Sequence, residues 1–170
     1  FEIEEKLIKR TDIPIFHDDQ HGTAIIVLAG LLSALELVNK KIENVKIVFS
    51  GAGAAAQAVA KLILKAGAKN IIMSDINGIV YKNRPQNDFY LEKMANLTNP
   101  DNEKGNLSNA IKNADIFIGL SKGNIVTPEM IKSMNKDAIV FALANPTPEI
   151  IPDIALQNGA KIAATGKIGR

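Results

Sequence analysis

The sequence contains no cysteine, no tryptophan and only 5% aromatic residues. Without cysteine there are no disulfides or thiolate metal sites, which fits a reducing, cytoplasmic location. No signal peptide and no uninterrupted run of about 18 apolar residues is present, so we expect no membrane partner. A net charge of +2, without a basic stripe carrying interleaved aromatics, also argues against nucleic acid. The remaining composition, 46% hydrophobic over 170 residues, is typical of a globular domain with its own core.

Short apolar segments alternate with helical patterns from Val45 onward. This alternation predicts an α/β fold of the Rossmann-like kind, with a doubly wound, mainly parallel sheet and helices on both faces. We interpret residues 1–170 as a single NAD(P)-binding domain, with a helical lead-in over residues 1–44 and a dinucleotide-binding core over residues 45–170. Because ligands bind beyond the carboxyl ends of the strands in such sheets, four strand-end residues are expected along one rim. They are Gly51, Asp75, Ser121 and Asn145.

The segment between Val45 and Gly67 predicts a buried strand, a glycine turn and a helix. Its glycine turn fits the spacing G-x-G-x-x-A. The first glycine would allow a tight turn, the second would let the backbone approach a pyrophosphate, and the small third residue would let the helix pack against its strand. The helix dipole favours a negative group at this end. We therefore predict that the dinucleotide binds at Gly51, Ala52, Gly53, Ala54, Ala55 and Ala56.

An acidic residue, Asp75, follows the next predicted strand, roughly 20 residues beyond the glycine turn, where this pattern places a ribose-binding acid. A carboxylate there could accept both hydroxyls of an adenine ribose and would repel a 2′-phosphate, which favours NAD. NADP stays possible, since Lys82 and Arg84 lie just downstream and could pair with a phosphate. The alternative is that Asp75 only caps a turn and binds no ligand.

A polar cluster between His17 and Thr23 precedes a long helix, and Thr23 or Asp19 could cap that helix. Asp18 and Asp19 could bind Mg²⁺ or Mn²⁺, which prefer oxygen ligands, or His17 and His21 could perform acid–base chemistry. The cluster could equally be a helix start with acids near its positive end, and residue chemistry by itself favours this interpretation.

The body of that helix, AIIVLAGLLSALELVNK, is apolar nearly all round until Glu36. This composition predicts a helix that is buried rather than one lying on a surface. Part of its face near Gly30 could also lie against another domain or a second subunit.

Several segments together resemble the malic enzymes, closely and in the same order. They are IPIFHDDQHGTA, VLAGLLSAL, SGAGAAA, SDINGIVYKNR, ALANPTPEI and IAATG. The resemblance covers essentially the whole chain and points to the cofactor-binding domain of a bacterial-type malic enzyme. It implies oxidative decarboxylation of malate to pyruvate and CO₂ with NAD(P) and with Mg²⁺ or Mn²⁺, in a parent enzyme that is a homo-oligomer.

The resemblance also implies roles for individual positions. Asp19 matches the family's metal-ligand aspartate, and Asp18 is its neighbour in the site. Thr23 falls near the nicotinamide, and Asn145 matches an asparagine that contacts substrate or nicotinamide. The remaining assignments are the glycine turn from Gly51 to Ala56 for the dinucleotide, Asp75 for the ribose, and His17 and His21 as supporting residues.

The chain also departs from the family. The general base lysine, the general acid tyrosine and a Glu-Asp metal-binding pair would lie before Phe1, in an N-terminal domain, and neither Tyr81 nor Tyr90 matches the tyrosine. At the other end, residues 167–170 do not match. We therefore expect no catalytic residue here and no malate turnover by this chain alone. Two alternatives are the cofactor domain of another two-domain dehydrogenase, of the amino-acid or methylene-tetrahydrofolate type, and a non-catalytic nucleotide-binding module.

Overall fold

The computed structural model describes residues 2–166, without the side chains of Glu2, Glu5 and Asp19. Residues 167–170, whose sequence departs from the family pattern, lie outside the described part. The strands are β1 (Lys46–Ser50), β2 (Asn70–Asp75), β3 (Gly78–Ile79), β4 (Ile116–Gly119), β5 (Ala138–Ala142) and β6 (Ala160–Thr165). The helices are α1 (Glu2–Arg10), α2 (Asp18–Leu37), α3 (Ala54–Lys65), α4 (Phe89–Leu97), α5 (Leu107–Ile111), α6 (Pro128–Lys132) and α7 (Pro152–Gln157).

The strands form one six-stranded sheet in the order β3-β2-β1-β4-β5-β6. All neighbours are parallel except β2 and β3, which form a short antiparallel hairpin. The Rossmann-like prediction is confirmed. With β1 between β2 and β4, the glycine turn that follows β1 lies at the middle of the rim where ligands bind in such sheets.

Apolar side chains of β1 alternate between the two faces of the sheet, as the two-residue period of a strand requires. Ile47 and Phe49 pack into a core with α2, α3 and α4, whereas Val48 packs into a second core with α5, α6 and α7. All three side chains are fully buried. Burial on both sides explains why this strand reads as a continuous apolar run.

Helix α2 runs antiparallel to the strands. Just beyond its C-terminal end, Lys40 Nζ donates to Asp115 Oδ1 at 2.8 Å and to the Lys136 carbonyl at 2.6 Å. Asp115 directly precedes β4, and Lys136 lies shortly before β5, so this end of α2 lies at the amino ends of the strands. The first turn of α2 therefore points toward the opposite rim, where the carboxyl ends of the strands lie.

Two predictions about α2 are wrong. The helix begins at Asp18 after His17, so Thr23 and Asp19 lie inside it and neither is its N-cap. One side only is buried, because Ile26 and Leu37 remain 74% and 78% exposed. By length and mean hydropathy, 1.4 over Gln20–Leu37, α2 could also cross a membrane, but core helices of globular domains have the same composition. Its buried side consists of Ala24, Val27, Leu31, Ala34 and Leu35.

Candidate cofactor-binding site

A cleft of about 680 Å³ opens at the carboxyl ends of β1, β2 and β4. Its lining includes the glycine turn, the end of β2 and the loop after β4. Three of the four strand-end residues expected along one rim therefore meet here, and the fourth, Asn145, is not part of the lining. The polar and glycine residues of the lining that concern the site are Ser50, Gly51, Gly53, Asp75, Ser121 and Lys122.

Gly51 is required by the fold. Its φ of +108° is a backbone conformation that residues with a side chain rarely adopt. A Cβ atom at this position would lie 2.5 Å from the carbonyl oxygen of Leu120, so the turn passes directly against the loop after β4. The Gly51 amide donates to the Ser74 carbonyl at 2.8 Å, which fixes the turn to the end of β2.

Gly53, in contrast, is not required by the fold. Its φ is −76°, and a Cβ there would meet nothing within 4 Å. Gly53 is the N-cap of α3 and gives it no side-chain cap, so the first-turn amides of α3 have no partner within the helix. Open space above bare backbone and free helical amides is the arrangement that a pyrophosphate requires.

The alanines around this turn are buried or half-buried, and none of them lines the cleft. Ala52 and Ala56 are buried in the core beneath the turn, with Ala56 fully covered. Ala54 and Ala55 are half-buried in the first turn of α3. The small third residue of the glycine motif thus packs the helix against the sheet, as the sequence predicted.

Asp75, at the end of β2, is held by the buried side chain of Arg84. Arg84 Nη1 donates to Asp75 Oδ1 at 2.8 Å, and Nη2 donates to Oδ2. Arg84 Nε donates to Asn87 Oδ1 at 2.8 Å, and Nη1 also approaches the Gly78 carbonyl at 3.2 Å. Only 1% of the Arg84 side chain is exposed. The sequence had allowed Arg84 to pair with a 2′-phosphate. In the structure its donors are already used within the protein, so it is not available for that pairing.

The same contacts set the charge of Asp75 and what it can still bind. Burial raises the pKa of Asp75, but hydrogen bonds from Arg84 and the Asn77 amide, with the charge of Arg84, outweigh burial and hold this pKa below its usual value. Three donors, two from Arg84 and one from Asn77, occupy three of the carboxylate's roughly four acceptor positions. These contacts reduce the acceptor capacity that the carboxylate keeps for a ribose.

Sequence reasoning missed the apolar part of the cleft. Ile76 is 99% exposed at the tip of the β2–β3 hairpin and lines the cleft with Leu107, Ile125 and Met130. An isoleucine that is fully exposed next to apolar neighbours offers a surface for a flat ring such as adenine. The signal lay in the sequence, since Ile76 directly follows the acid of the dinucleotide pattern.

The polar cluster at the start of α2 does not form a metal site among the residues that the structure describes. No group of three or more His, Cys, Asp or Glu side chains there could hold a metal ion. Asp18 is exposed, and its Oδ1 lies so close to Gly22 that a Cβ on that glycine would be 2.1 Å away. The backbone of Asp19 lies in α2, but its side chain is outside the described part of the chain.

The two histidines of this cluster make contacts within the N-terminal helices. The His17 amide donates to His21 Nδ1 at 3.1 Å, and His21 Nε2 lies 3.4 Å from Glu4 Oε1. His17 Nδ1 also lies 2.7 Å from Gln20 Nε2. These contacts are local and do not test the supporting role that the resemblance implies for the two histidines.

Thr23 and Asn145, the residues expected near the nicotinamide and substrate, do not line the cleft. Thr23 lies half-buried in the N-terminal part of α2, and Asn145 is exposed just after β5. Both lie toward the carboxyl ends of the strands. Asn145 follows β5, which lies on the side of β4 away from β2 and Asp75.

Strand order, the glycine turn and the acid at the end of β2 together define a Rossmann-type dinucleotide-binding domain. Comparison with known proteins agrees with this class of protein and identifies a family within it. Residues 20–167 match the family model described as malic enzyme, NAD binding domain. The chain belongs to this family.

Individual relatives extend the comparison. The chain is 50% identical over 167 residues to the NAD-dependent malic enzyme of Geobacillus stearothermophilus, and 44% identical over 170 residues to the NADP-dependent malic enzyme of Halomonas elongata. Each match covers 98% of this chain but only 35% and 39% of the respective relative. The crystal structure of the NAD-dependent malic enzyme of Thermotoga maritima superposes with a TM-score of 0.94 at 46% identity, covering 98% of this chain and 45% of that one.

Proposed function

We propose that this domain binds the dinucleotide for an enzyme that oxidatively decarboxylates malate to pyruvate and CO₂. The observation that carries the proposal is the open backbone above Gly53 beside an ionised Asp75, in a chain of the malic enzyme family. The chain spans 35% and 39% of the two relatives' lengths given above, so the substrate and the reaction are inferred for the whole enzyme.

The dinucleotide fits the cleft in one direction. Its pyrophosphate would accept hydrogen bonds from the first-turn amides of α3, and its adenosine ribose would donate to the Asp75 carboxylate. The adenine would lie against Ile76, which places the nicotinamide half toward β4 and β5. The cofactor supplies the hydride acceptor, while this chain binds and orients it.

We propose that the cofactor is NAD rather than NADP. A 2′-phosphate would meet the Asp75 carboxylate, whose charge is maintained at neutral pH, and Arg84 would offer it no free fork of donors. Family membership alone does not decide this, because the two relatives described above differ in their dinucleotide. The preference therefore depends on the chain's own residues.

Separate calorimetric titrations with NAD and NADP test this preference. We expect NAD to bind at least about tenfold more tightly, which corresponds to about 1.4 kcal/mol. Asp75→Asn removes the charge with little change in shape and should reduce the difference in affinity between NAD and NADP. Glu103→Asn, a substitution of an acid outside the cleft lining, should leave this difference unchanged. Tighter binding of NADP by the wild type would refute the role given to Asp75.

At the far end of the site we propose that Thr23 lies near the nicotinamide and that Asn145 contacts malate or the nicotinamide. Asp19, with Asp18 beside it, would contribute to a Mg²⁺ or Mn²⁺ site. The described residues do not complete such a site, and we expect its other ligands in the N-terminal domain. The same holds for the general base lysine and general acid tyrosine, which we expect in an N-terminal domain of a homo-oligomeric, cytoplasmic enzyme.

A direct assay tests whether this chain binds the cofactor while the catalytic acid and base lie in another domain. The 170-residue chain, supplied with malate, NAD and Mn²⁺, should produce no NADH above a no-enzyme control while still binding NAD in calorimetry. Robust malate-dependent NADH formation would show that the chain carries its own acid and base. Loss of NAD binding would instead refute the cofactor site.

A further inference from the structure

Glu149 is a completely buried acid between β5 and α7 that the proposed function does not use, and its exposure is 0%. Its Oε1 accepts a hydrogen bond from the Ser121 amide at 3.0 Å, and its Oε2 accepts one from the Ala144 amide at 3.1 Å. Ser121 lies in the loop after β4, and Ala144 lies in the loop after β5. One carboxylate therefore joins two loops at the carboxyl rim of the sheet.

The surrounding backbone is built to receive this side chain. A Cβ on Gly119, the last residue of β4, would lie 2.2 Å from Glu149 Cδ, so only glycine leaves room for the carboxylate. The backbone next to Glu149 is also paired with the loop after β4. The Asn124 amide donates to the Pro148 carbonyl at 3.0 Å, and the Val126 amide donates to the Glu149 carbonyl at 3.1 Å.

Within the described part of the chain, no lysine or arginine forms an ion pair with Glu149; its partners are the two backbone amides. Burying a carboxylate is costly unless its oxygens are hydrogen-bonded, and an apolar residue could fill the same space without that cost. Unlike an apolar residue, the carboxylate fixes the distance between two amides that lie on different loops.

In the proposed orientation of the dinucleotide, those two loops lie on its nicotinamide side. Ser121 lines the cleft with Lys122, and its hydroxyl lies 2.7 Å from the Ser50 hydroxyl at the end of β1. Asn145 directly follows Ala144. On the adenosine side, Asp75 and Ile76 belong to β2 and its hairpin and have no bond to Glu149.

We propose that Glu149 is a positioning residue for the nicotinamide half of the dinucleotide. It acts through the Ser121 and Ala144 amides, holding the loops after β4 and β5 in register with the glycine turn. This assignment rests on the proposed function, because it presupposes that NAD binds in the cleft.

Glu149→Gln tests the assignment with an isosteric change. Glutamine offers one acceptor and one NH₂ group, so an NH₂ must face one of the two amides and one hydrogen bond is lost. We expect NAD affinity to fall about tenfold or more, as for a lost bond to a charged group, while AMP affinity stays within about twofold. Glu103→Gln, a half-exposed glutamate paired with Lys46 outside the cleft, should change neither affinity.

The split between NAD and AMP separates positioning from general stability. Equal losses for both ligands would mean that Glu149 only supports the fold, and unchanged NAD affinity would mean that the two bonds do not matter; either result overturns the assignment. If the proposed function is wrong, the wild type itself will bind no NAD. That result would overturn the present assignment as well, and it differs from the two results above.

Amide hydrogen exchange of the wild type supplies a second measurement should the variant not fold. The Ser121 and Ala144 amides should exchange slowly although Ser121 is an exposed residue, and NAD should slow both further than AMP does. Exchange of these amides at the rate of an unprotected loop, or equal effects of NAD and AMP, would overturn the assignment.

Discussion

Replacing Arg84 with methionine should destabilise the domain more than any other single charge removal at the cleft. Methionine fills much of the buried volume but removes both hydrogen bonds to Asp75 and the one to Asn87. The Asp75 carboxylate would remain ionised at neutral pH. It would keep the hydrogen bond from the Asn77 amide but lose both bonds from the arginine.

The size of the effect follows from burial. Removing one partner of a buried ion pair costs about 3–5 kcal/mol, because the other charge is left without a partner. The Asp75 side chain keeps 18% exposure and can be partly rehydrated, so the lower end applies, about 3 kcal/mol. For a chain of this length that loss lowers the melting temperature by about 6–12 °C.

Urea unfolding at neutral pH, followed by circular dichroism, measures the change, and a second ion pair provides a matched control. Lys46 Nζ lies 3.2 Å from Glu103 Oε1, but Glu103 is 34% exposed. Lys46→Met should therefore cost less than about 1 kcal/mol. Adding Asp75→Asn to the Arg84 variant should restore part of the lost stability, because the unpaired charge is then gone.

Two results would refute this reasoning. A loss below about 1 kcal/mol for Arg84→Met would mean that the pair behaves as an exposed ion pair. A double variant no more stable than Arg84→Met would mean that the cost comes from packing around the arginine and not from the stranded charge of Asp75.

The remaining predictions concern the glycine turn and acid stability. Gly51→Ala should cost about 2 kcal/mol in urea unfolding, because of its φ and the nearby Leu120 carbonyl. Gly53→Ala should leave stability within about 1 kcal/mol but weaken NAD binding about tenfold or more in calorimetry, since the added methyl enters the space proposed for the pyrophosphate. The pKa of Asp75 is lowered in the folded state, so the stability that this carboxylate contributes should be complete above its unfolded pKa of 3.8. This contribution should disappear as the pH falls through the folded pKa. Asp75→Asn should therefore make the stability depend less on pH in unfolding curves recorded down to about pH 2. Asp115, whose pKa is also lowered although burial raises it, should show the same behaviour through its bonds to Lys40 and the Lys46 amide.

The sequence by itself determined the order of elements and the position of the glycine turn. A strand buried on both faces reads as a continuous apolar run, and a turn that needs positive φ requires a glycine such as Gly51, so these features depend on residues close in the chain. The acid at the end of β2 was predicted for the same reason, because its distance from the turn is set by one helix and one strand.

The tertiary structure decided which partners these residues have. Glu149 meets the Ser121 amide across 28 residues of sequence, and Arg84 reaches Asp75 because the β2–β3 hairpin folds it back. The apolar composition of α2 predicted full burial, yet one side faces outward, because periodicity cannot show how many elements pack around a helix. Local patterns follow from neighbouring residues, whereas hydrogen-bond partners and exposed faces depend on distant segments that only folding brings together.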